Sequence, residues 1–354
     1  MKKRTIITLT ALLAFAATAN ADREYSFEKE QRFDGASVNI VRIDMPGGEI
    51  RIERSDSGEI VLEFKNIVFA GSQEKAEKFN EQCEFGASQE GGRVDVRVEP
   101  PRGGSHRGIL QKLFSGDWND DFRTLLRLKI PDGKGIEIDV SSTDIEVNGV
   151  KADLDVRGSS SDIEMSDTEG NVSFDLSSGD VYISKHSGEL RVSGNSSDLR
   201  IGAVRGNVDL RTSSGDGTLE EIEGSLAAAT SSGDYRVYDV SGDLDIKSSS
   251  GDLYVDGVGG SVRAETSSGD IRLKALSAAQ GDFDVDAVSG DVSLEVSPDF
   301  SGRLSLRTVS GDINSRISGD IETLSDSRLV ATVGEGSGRL TVSTSSGDIR
   351  VSRY

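Results

Sequence analysis

Gly242-Asp243-Leu244-Asp245-Ile246-Lys247-Ser248-Ser249-Ser250-Gly251-Asp252-Leu253-Tyr254-Val255 decides the fold of this chain. The stretch holds one unit twice, nine residues apart: Gly-Asp, then an apolar, an outward and another apolar position. Alternation with period 2, bounded by Gly and Ser, reads as short strands joined by tight corners. Outward from this stretch, Asp144, Asp162, Asp180, Asp198, Asp216, Asp234, Asp252 and Asp270 recur at 18-residue spacing. So fixed and short a period marks a stacked solenoid.

The two corners differ, so 18 rather than 9 is the true period. Six residues after the Asp column stand Val150, Val204, Ile222, Val240, Val258 and Leu276; the equivalent place in the other half carries Ser159, Ser177, Ser213, Ser231, Ser249 and Ser267. One corner is apolar and the other polar. Stacked rungs about 4.8 Å apart would then align Ile163, Val181, Leu199, Tyr235, Leu253 and Ile271 in one inward column, and Met165, Ile183, Ile201, Leu219, Val237, Val255 and Leu273 in another. The aromatic fraction of 5% agrees with a thin aliphatic core that leaves large rings little room. Gly at each corner supplies the positive φ a tight turn needs. The adjacent Asp can bond a nearby N–H as an Asx-turn; carboxylates stacked about 4.8 Å apart repel by roughly 1 kcal/mol per pair even in water, which turn hydrogen bonding or bound cations must offset.

The fold expected is therefore all-β: a parallel β-solenoid, a single-stranded right-handed β-helix with about 18 residues per rung and an elaborated N-terminal cap. Three regions are expected. Residues 1-21 read as a signal peptide, with Lys2, Lys3 and Arg4, an apolar run from Ile6 to Ala17, and Ala19-Asn20-Ala21 as cleavage site. Residues 22-135 form the N-terminal β region, with strands at 37–43, 49–53, 60–69, 93–98 and 124–130, a helix at 73–81, and an inserted loop at 100-121. Residues 136-354 are solenoid repeats, whose Asp spacing stretches to 21 at Asp291 and Asp312 and then recovers to twice 18 at Asp348.

Export places the product in the periplasm or at the cell surface, with no later apolar segment long enough to span a membrane. The net charge of −21 falls to about −24 once the leader is removed, an acidic balance that argues against nucleic acid and anionic lipid. Cys83, the only cysteine, cannot form an internal disulfide and reads as a small buried residue. Catalytic signatures are missing: with only His106 and His186 there is no metal-spaced pair, and there is no Gly-x-Ser-x-Gly elbow or phosphate loop. His186 falls in the apolar-corner column. Neither cofactor nor metal is expected. Calcium β-rolls carry Gly-Gly-x-Gly-x-Asp, whereas a Ser-Ser-Gly-Asp corner offers one carboxylate to an ion that takes six to eight oxygens.

Two surfaces stand out. Beside the Asp column the outward positions Tyr182, Arg200, Thr218, Arg236, Tyr254 and Arg272 form an aromatic and cationic stripe on an acidic body. Such residues stack on sugars or pair with anionic polymers, and they also simply suit exposed strands. Leu113, Phe114 and Trp118, with Ile109 and Leu110, form an apolar cluster that reads as a partner-contact loop or as packing on the solenoid's flank.

The Met45-Pro46-Gly47-Gly48-Glu49-Ile50 opening, the recurring Ser-Gly-Asp-[Ile/Leu/Val]-x-[Val/Ile/Leu] and the closing Ser345-Ser346-Gly347-Asp348-Ile349-Arg350-Val351 resemble the bacterial "putative adhesin" family of β-strand-repeat proteins, a domain of unknown function. The resemblance covers most of the mature chain. It implies a β-helix-like fold at the envelope or surface and supplies no catalytic residues. The expected function is a non-enzymatic, adhesin-like or envelope scaffold that binds a cell-surface glycan, envelope polymer or envelope protein. A carbohydrate-active β-helix enzyme and a self-assembling structural protein are the alternatives.

Overall fold

The computed structural model describes residues 6–14, 23–99, 122–276, 281–335 and 338–354. The chain divides into two compact units, residues 1–170 and 171–354. Both are predominantly β, and among the described residues the one α-helix is Gln73–Asn80.

In the second unit the regular rungs are two short strands each, and up to Ile271–Leu276 paired residues stand 18 positions apart. Val181–Ser187 lies parallel to Leu199–Arg205, and Val172–Ser178 to Leu190–Ser196. The two expected inward columns are buried along their length, as is His186 at 2% exposure. Burial of each such aliphatic side chain contributes about 1.5–3 kcal/mol. Lys185, Ala203, Glu221 and Asp239 bend the strands at the apolar corner with φ between 52° and 55°, and Gly257 does so at 80°. The left-handed residue lets two successive side chains face outward, so the next one, as at His186 and Val204, turns back into the core.

The Gly column at the polar corner is required by crowding as well as by φ. Gly251 sits at φ 140°, and a Cβ there would lie 2.1 Å from the carbonyl oxygen of Gly233 one rung below. Large rings are not wholly excluded from the core, contrary to the composition-based expectation: Tyr235 is 1% exposed. Its register partner is Gly217, whose missing side chain leaves the space the ring fills. The Tyr235 hydroxyl lies 2.8 Å from Thr212 Oγ1. Thr212 belongs to a third inward column, Thr212, Thr230, Ser248 and Thr266, that is buried yet hydroxylic.

Spatial order departs from chain order at the end of this unit. The final strands Gly338–Ser346 and Ile349–Arg353 insert between the rung containing Asp282–Ser289 and Val292–Val296 and the rung containing Gly302–Ser310 and Ile313–Ser315. The intervening strands Asp320–Ser325 and Arg328–Val333 fold back antiparallel onto Gly302–Ser310. A parallel end that would template further pairing is thus covered by a hairpin.

The first unit uses the same device. Ile40–Arg54 lies between Lys134–Asn148 on one side and Arg93–Glu99 with Phe122–Ile130 on the other. Arg23–Asp34, Glu59–Ala70 and Glu84–Glu90 add antiparallel strands outside these, and Ile6–Ala14 pairs with Arg23–Asp34. The expected strands at 37–43 and 49–53 merge into one strand, Ile40–Arg54, with Gly48 at φ 119°, while Ser37 closes a short 3-10 turn before it. Gln73–Asn80 is capped by Ser72 and buries Ala76 against Tyr25 and Val68. Cys83 is a free buried thiol, pushed up in pKa by burial, with Asn66 Nδ2 3.4 Å from its sulfur.

Candidate functional site

In the second unit the Asp column becomes a ladder. Each carboxylate accepts the backbone N–H of the Asp on the next rung, from Asp180 through Asp198, Asp216, Asp234, Asp252, Asp270, Asp291 and Asp348 to Asp312, at 2.8 to 3.3 Å. The partner is therefore on the neighbouring rung and not within the local turn, as an Asx-turn would have it. Hydrogen bonds to a charged acceptor contribute about 1.5–3 kcal/mol each, enough to outweigh the repulsion between stacked carboxylates. The Asp348 N–H and the Arg350 guanidinium hold the Asp291 carboxyl below the usual carboxylate range. In the first unit Asp144 goes the other way, raised by burial and by Asp162 and Glu49. Among the described residues no group of three His, Cys, Asp or Glu is placed to hold a metal ion.

Beside this ladder the structure brings the stripe together in register. Tyr182 pairs with Arg200, Arg200 with Thr218, Thr218 with Arg236, Arg236 with Tyr254, and Tyr254 with Arg272. The row runs on through Ser293 to Arg350 and Asn314. Tyr182 is 44% exposed, and the arginines are exposed as well. Among the described residues no carboxylate is in ion-pair range of Arg200 or Arg236. Arg272 lies 3.6 Å from Asp270, and Arg350 is clamped at 2.8 Å by both Asp291 and Asp348.

Sequence reasoning missed Tyr238, one outward position further along its strand. Its ring centroid is 5.6 Å from that of Tyr254, tilted by 49°, and the Lys274 ammonium stands 5.6 Å from the Tyr254 ring. Recurrence of an aromatic at outward positions 16 residues apart was the available signal. Leu113, Phe114 and Trp118 lie outside the described residues.

The opposite strand face carries a groove of about 680 Å³ bordered by Lys247, Glu265, Asp286 and Ser343. Glu265 and Asp286 are register partners. Burial, then Asp284 and Glu265, raise the Asp286 carboxyl; burial also raises Glu265, but Arg263 and Lys247 together outweigh it and hold that carboxyl low.

A family model described as Toastrack DUF4097 matches residues 38–253 and 188–352. No curated protein matches the chain. Solved structures similar to it include a "putative cell adhesion protein" from Clostridium sporogenes, at 10% identity over 93% of this chain and 100% of that one, with TM-score 0.22. Another is a "putative adhesin" from Parabacteroides merdae, at 10% identity over 92% and 95%, with TM-score 0.28. A third is a "putative lipid binding protein" from Parabacteroides distasonis, at 11% identity over 91% and 96%, with TM-score 0.27.

Proposed function

The chain belongs to the Toastrack DUF4097 family, and from that premise we propose that it is an exported, non-enzymatic, adhesin-like envelope module that binds through the outer face of the Asp-column strands. One observation carries the reading: Tyr182, Arg200, Thr218, Arg236, Tyr254 and Arg272 form an unbroken, outward-facing row on a protein of acidic net charge, with Arg200 and Arg236 free of ion pairs among the described residues. Aromatic faces and guanidinium forks recognise planar, hydroxyl-rich polymers by stacking and paired hydrogen bonds. The basic residues 2–4, the apolar run and the Ala19-Asn20-Ala21 site support export to the periplasm or surface, where a glycan or another envelope polymer is within reach. In the described residues no helix is long and apolar enough to cross a membrane.

Retention of the purified mature chain on cells, outer membranes and peptidoglycan sacculi tests this. Tyr182→Ala/Arg236→Ala/Tyr254→Ala should abolish retention with the circular dichroism spectrum unchanged; equal retention of the variant would refute the reading. A carbohydrate-active enzyme is the second reading. It is favoured by one observation, the register-paired Glu265 and Asp286 carboxyls shifted in opposite directions beside a groove, an arrangement that can separate acid and base roles. Glycan turnover lost in Asp286→Asn would establish it in place of the module.

A further inference from the structure

The stripe alternates in kind once it is followed in space. Arginine occupies every second rung, at Arg200, Arg236, Arg272 and Arg350, and the rungs between carry Tyr182, Thr218, Tyr254 and Ser293. Chain order hides this. Asn314 follows Ser293 in sequence, and only the inserted final rung sets Arg350 two steps beyond Arg272. With rungs about 4.8 Å apart, the arginines repeat every ~9.6 Å, and Tyr182 and Tyr254 stand four rungs or ~19 Å apart, two whole repeats of the same period.

We propose that this face binds a linear β-1,4-linked glycan laid along the stack, one disaccharide to every two rungs. The inference rests on the reading of this face as the binding surface. In a β-1,4-linked pyranose chain each ring is turned over relative to the last, so the chain presents the same groups to a flat surface only at every second sugar. That disaccharide, two rings and two glycosidic oxygens in extended form, has a length close to two rungs. A guanidinium fork donates two parallel hydrogen bonds to adjacent hydroxyls, or to a hydroxyl and an acetamido carbonyl, most freely at Arg200 and Arg236, while Arg272 and Arg350 share their donors with the Asp ladder. Tyr182, exposed, and Tyr254, half-buried, stand where sugars of the opposite phase would lie. Tyr238 and Lys274 pack around Tyr254 and fix its orientation.

Charge selects the class of polymer. The Asp ladder runs beside the arginine row with a carboxylate on every rung, and it already engages Arg272 and Arg350. A polyanion would meet that ladder along its whole length and be repelled, whereas an uncharged chain meets only donors and acceptors. From Tyr182 to Asn314 the row spans eight steps, about 38 Å, room for roughly four disaccharides.

Titration calorimetry of the mature chain with β-1,4-linked N-acetylglucosamine and glucose oligosaccharides, against α-1,4-linked glucose oligosaccharides of equal length, tests the inference. Affinity for at least one β-linked series should rise with each added pair of sugars, and the α-linked series should not bind. Thr218→Arg/Arg236→Thr keeps composition and charge but breaks the alternation, and should weaken binding at least tenfold with an unchanged circular dichroism spectrum. Equal binding by this swap variant, equal binding of α-linked chains, or failure of both β-linked series overturns the inference. If the triple alanine variant still loses envelope retention in that case, the binding-surface reading stands and only the ligand class falls; if it is retained like the natural chain, both fall.

Discussion

Gly217 and Tyr235 form a small-for-large pair whose coupling can be measured. A Cβ at Gly217 would lie 2.5, 2.6 and 3.0 Å from the Cε1, Cδ1 and Cζ atoms of the Tyr235 ring. The ring is 1% exposed and tied through its hydroxyl to Thr212, so it has nowhere to move. Gly217 does not have positive φ, so Gly217→Ala tests packing alone. Overpacking a tight core costs about 1–3 kcal/mol. Tyr235→Leu restores the aliphatic pattern of the column but leaves the buried Thr212 hydroxyl without that partner, at about 1–3 kcal/mol plus a cavity contribution. In the Tyr235→Leu background the same Gly217→Ala change should become stabilising by about 0.5–1 kcal/mol, since glycine is a poor strand residue and the ring has gone. The expected coupling is therefore about 1.5–4 kcal/mol, read from urea midpoints of the four proteins followed by circular dichroism. A coupling under about 0.5 kcal/mol would refute the packing argument.

Other expectations follow from the corners and the ladder. Gly251→Ala, which combines φ 140° with a contact of 2.1 Å to a backbone oxygen, should cost about 3 kcal/mol or more in denaturant unfolding, and a loss below 1 kcal/mol would contradict the corner geometry. Ala203→Gly, at φ 52°, should raise stability by up to about 1 kcal/mol, the strain relieved less the added freedom of the unfolded chain; destabilisation would contradict it. Asp291 has a folded pKa lowered by the Asp348 N–H and Arg350, so its contribution is present above the unfolded carboxylate pKa and lost as pH falls. Asp291→Asn should therefore destabilise at pH 7 by about 1 kcal/mol, with the gap to the natural chain closing below about pH 4; a gap of equal size at pH 3 and pH 7 would count against the ladder.

What the sequence made legible is what each rung repeats. The 18-residue register, the two inward aliphatic columns, the apolar corner that includes His186 and the outward row from Tyr182 to Arg272 are properties of single rungs, and periodicity reports those directly. Rung order is not such a property. One parallel edge accepts another almost regardless of which rung carries it, so nothing in the local pattern announces that Ile40–Arg54 or Gly338–Ser346 is flanked by strands from other parts of the chain. The 36-residue step from Asp312 to Asp348 looks like two rungs in sequence, but it holds the capping hairpin and the first strand of the inserted rung. Compensation across rungs was hidden for a related reason: Gly217 reads as part of a Gly-Asp-Gly turn until Tyr235 is placed against it. The carboxylate ladder likewise needs the neighbouring backbone, which no window of local sequence contains.

The working surface proposed for this protein depends on Arg350 entering the row two rungs after Arg272, and disulfide trapping tests that arrangement directly. Register-paired parallel residues bring Cα atoms within the 4.4–6.8 Å that a disulfide spans. In single-cysteine-controlled proteins in which Cys83 is replaced by Ala, Ser293→Cys with Arg350→Cys should cross-link under mild oxidation in the monomer. Ser293→Cys with Asn314→Cys, two rungs apart in space, should not. Efficient trapping of the 293–314 pair with none of the 293–350 pair would show that the rungs follow chain order, and the alternating arginine row would not exist.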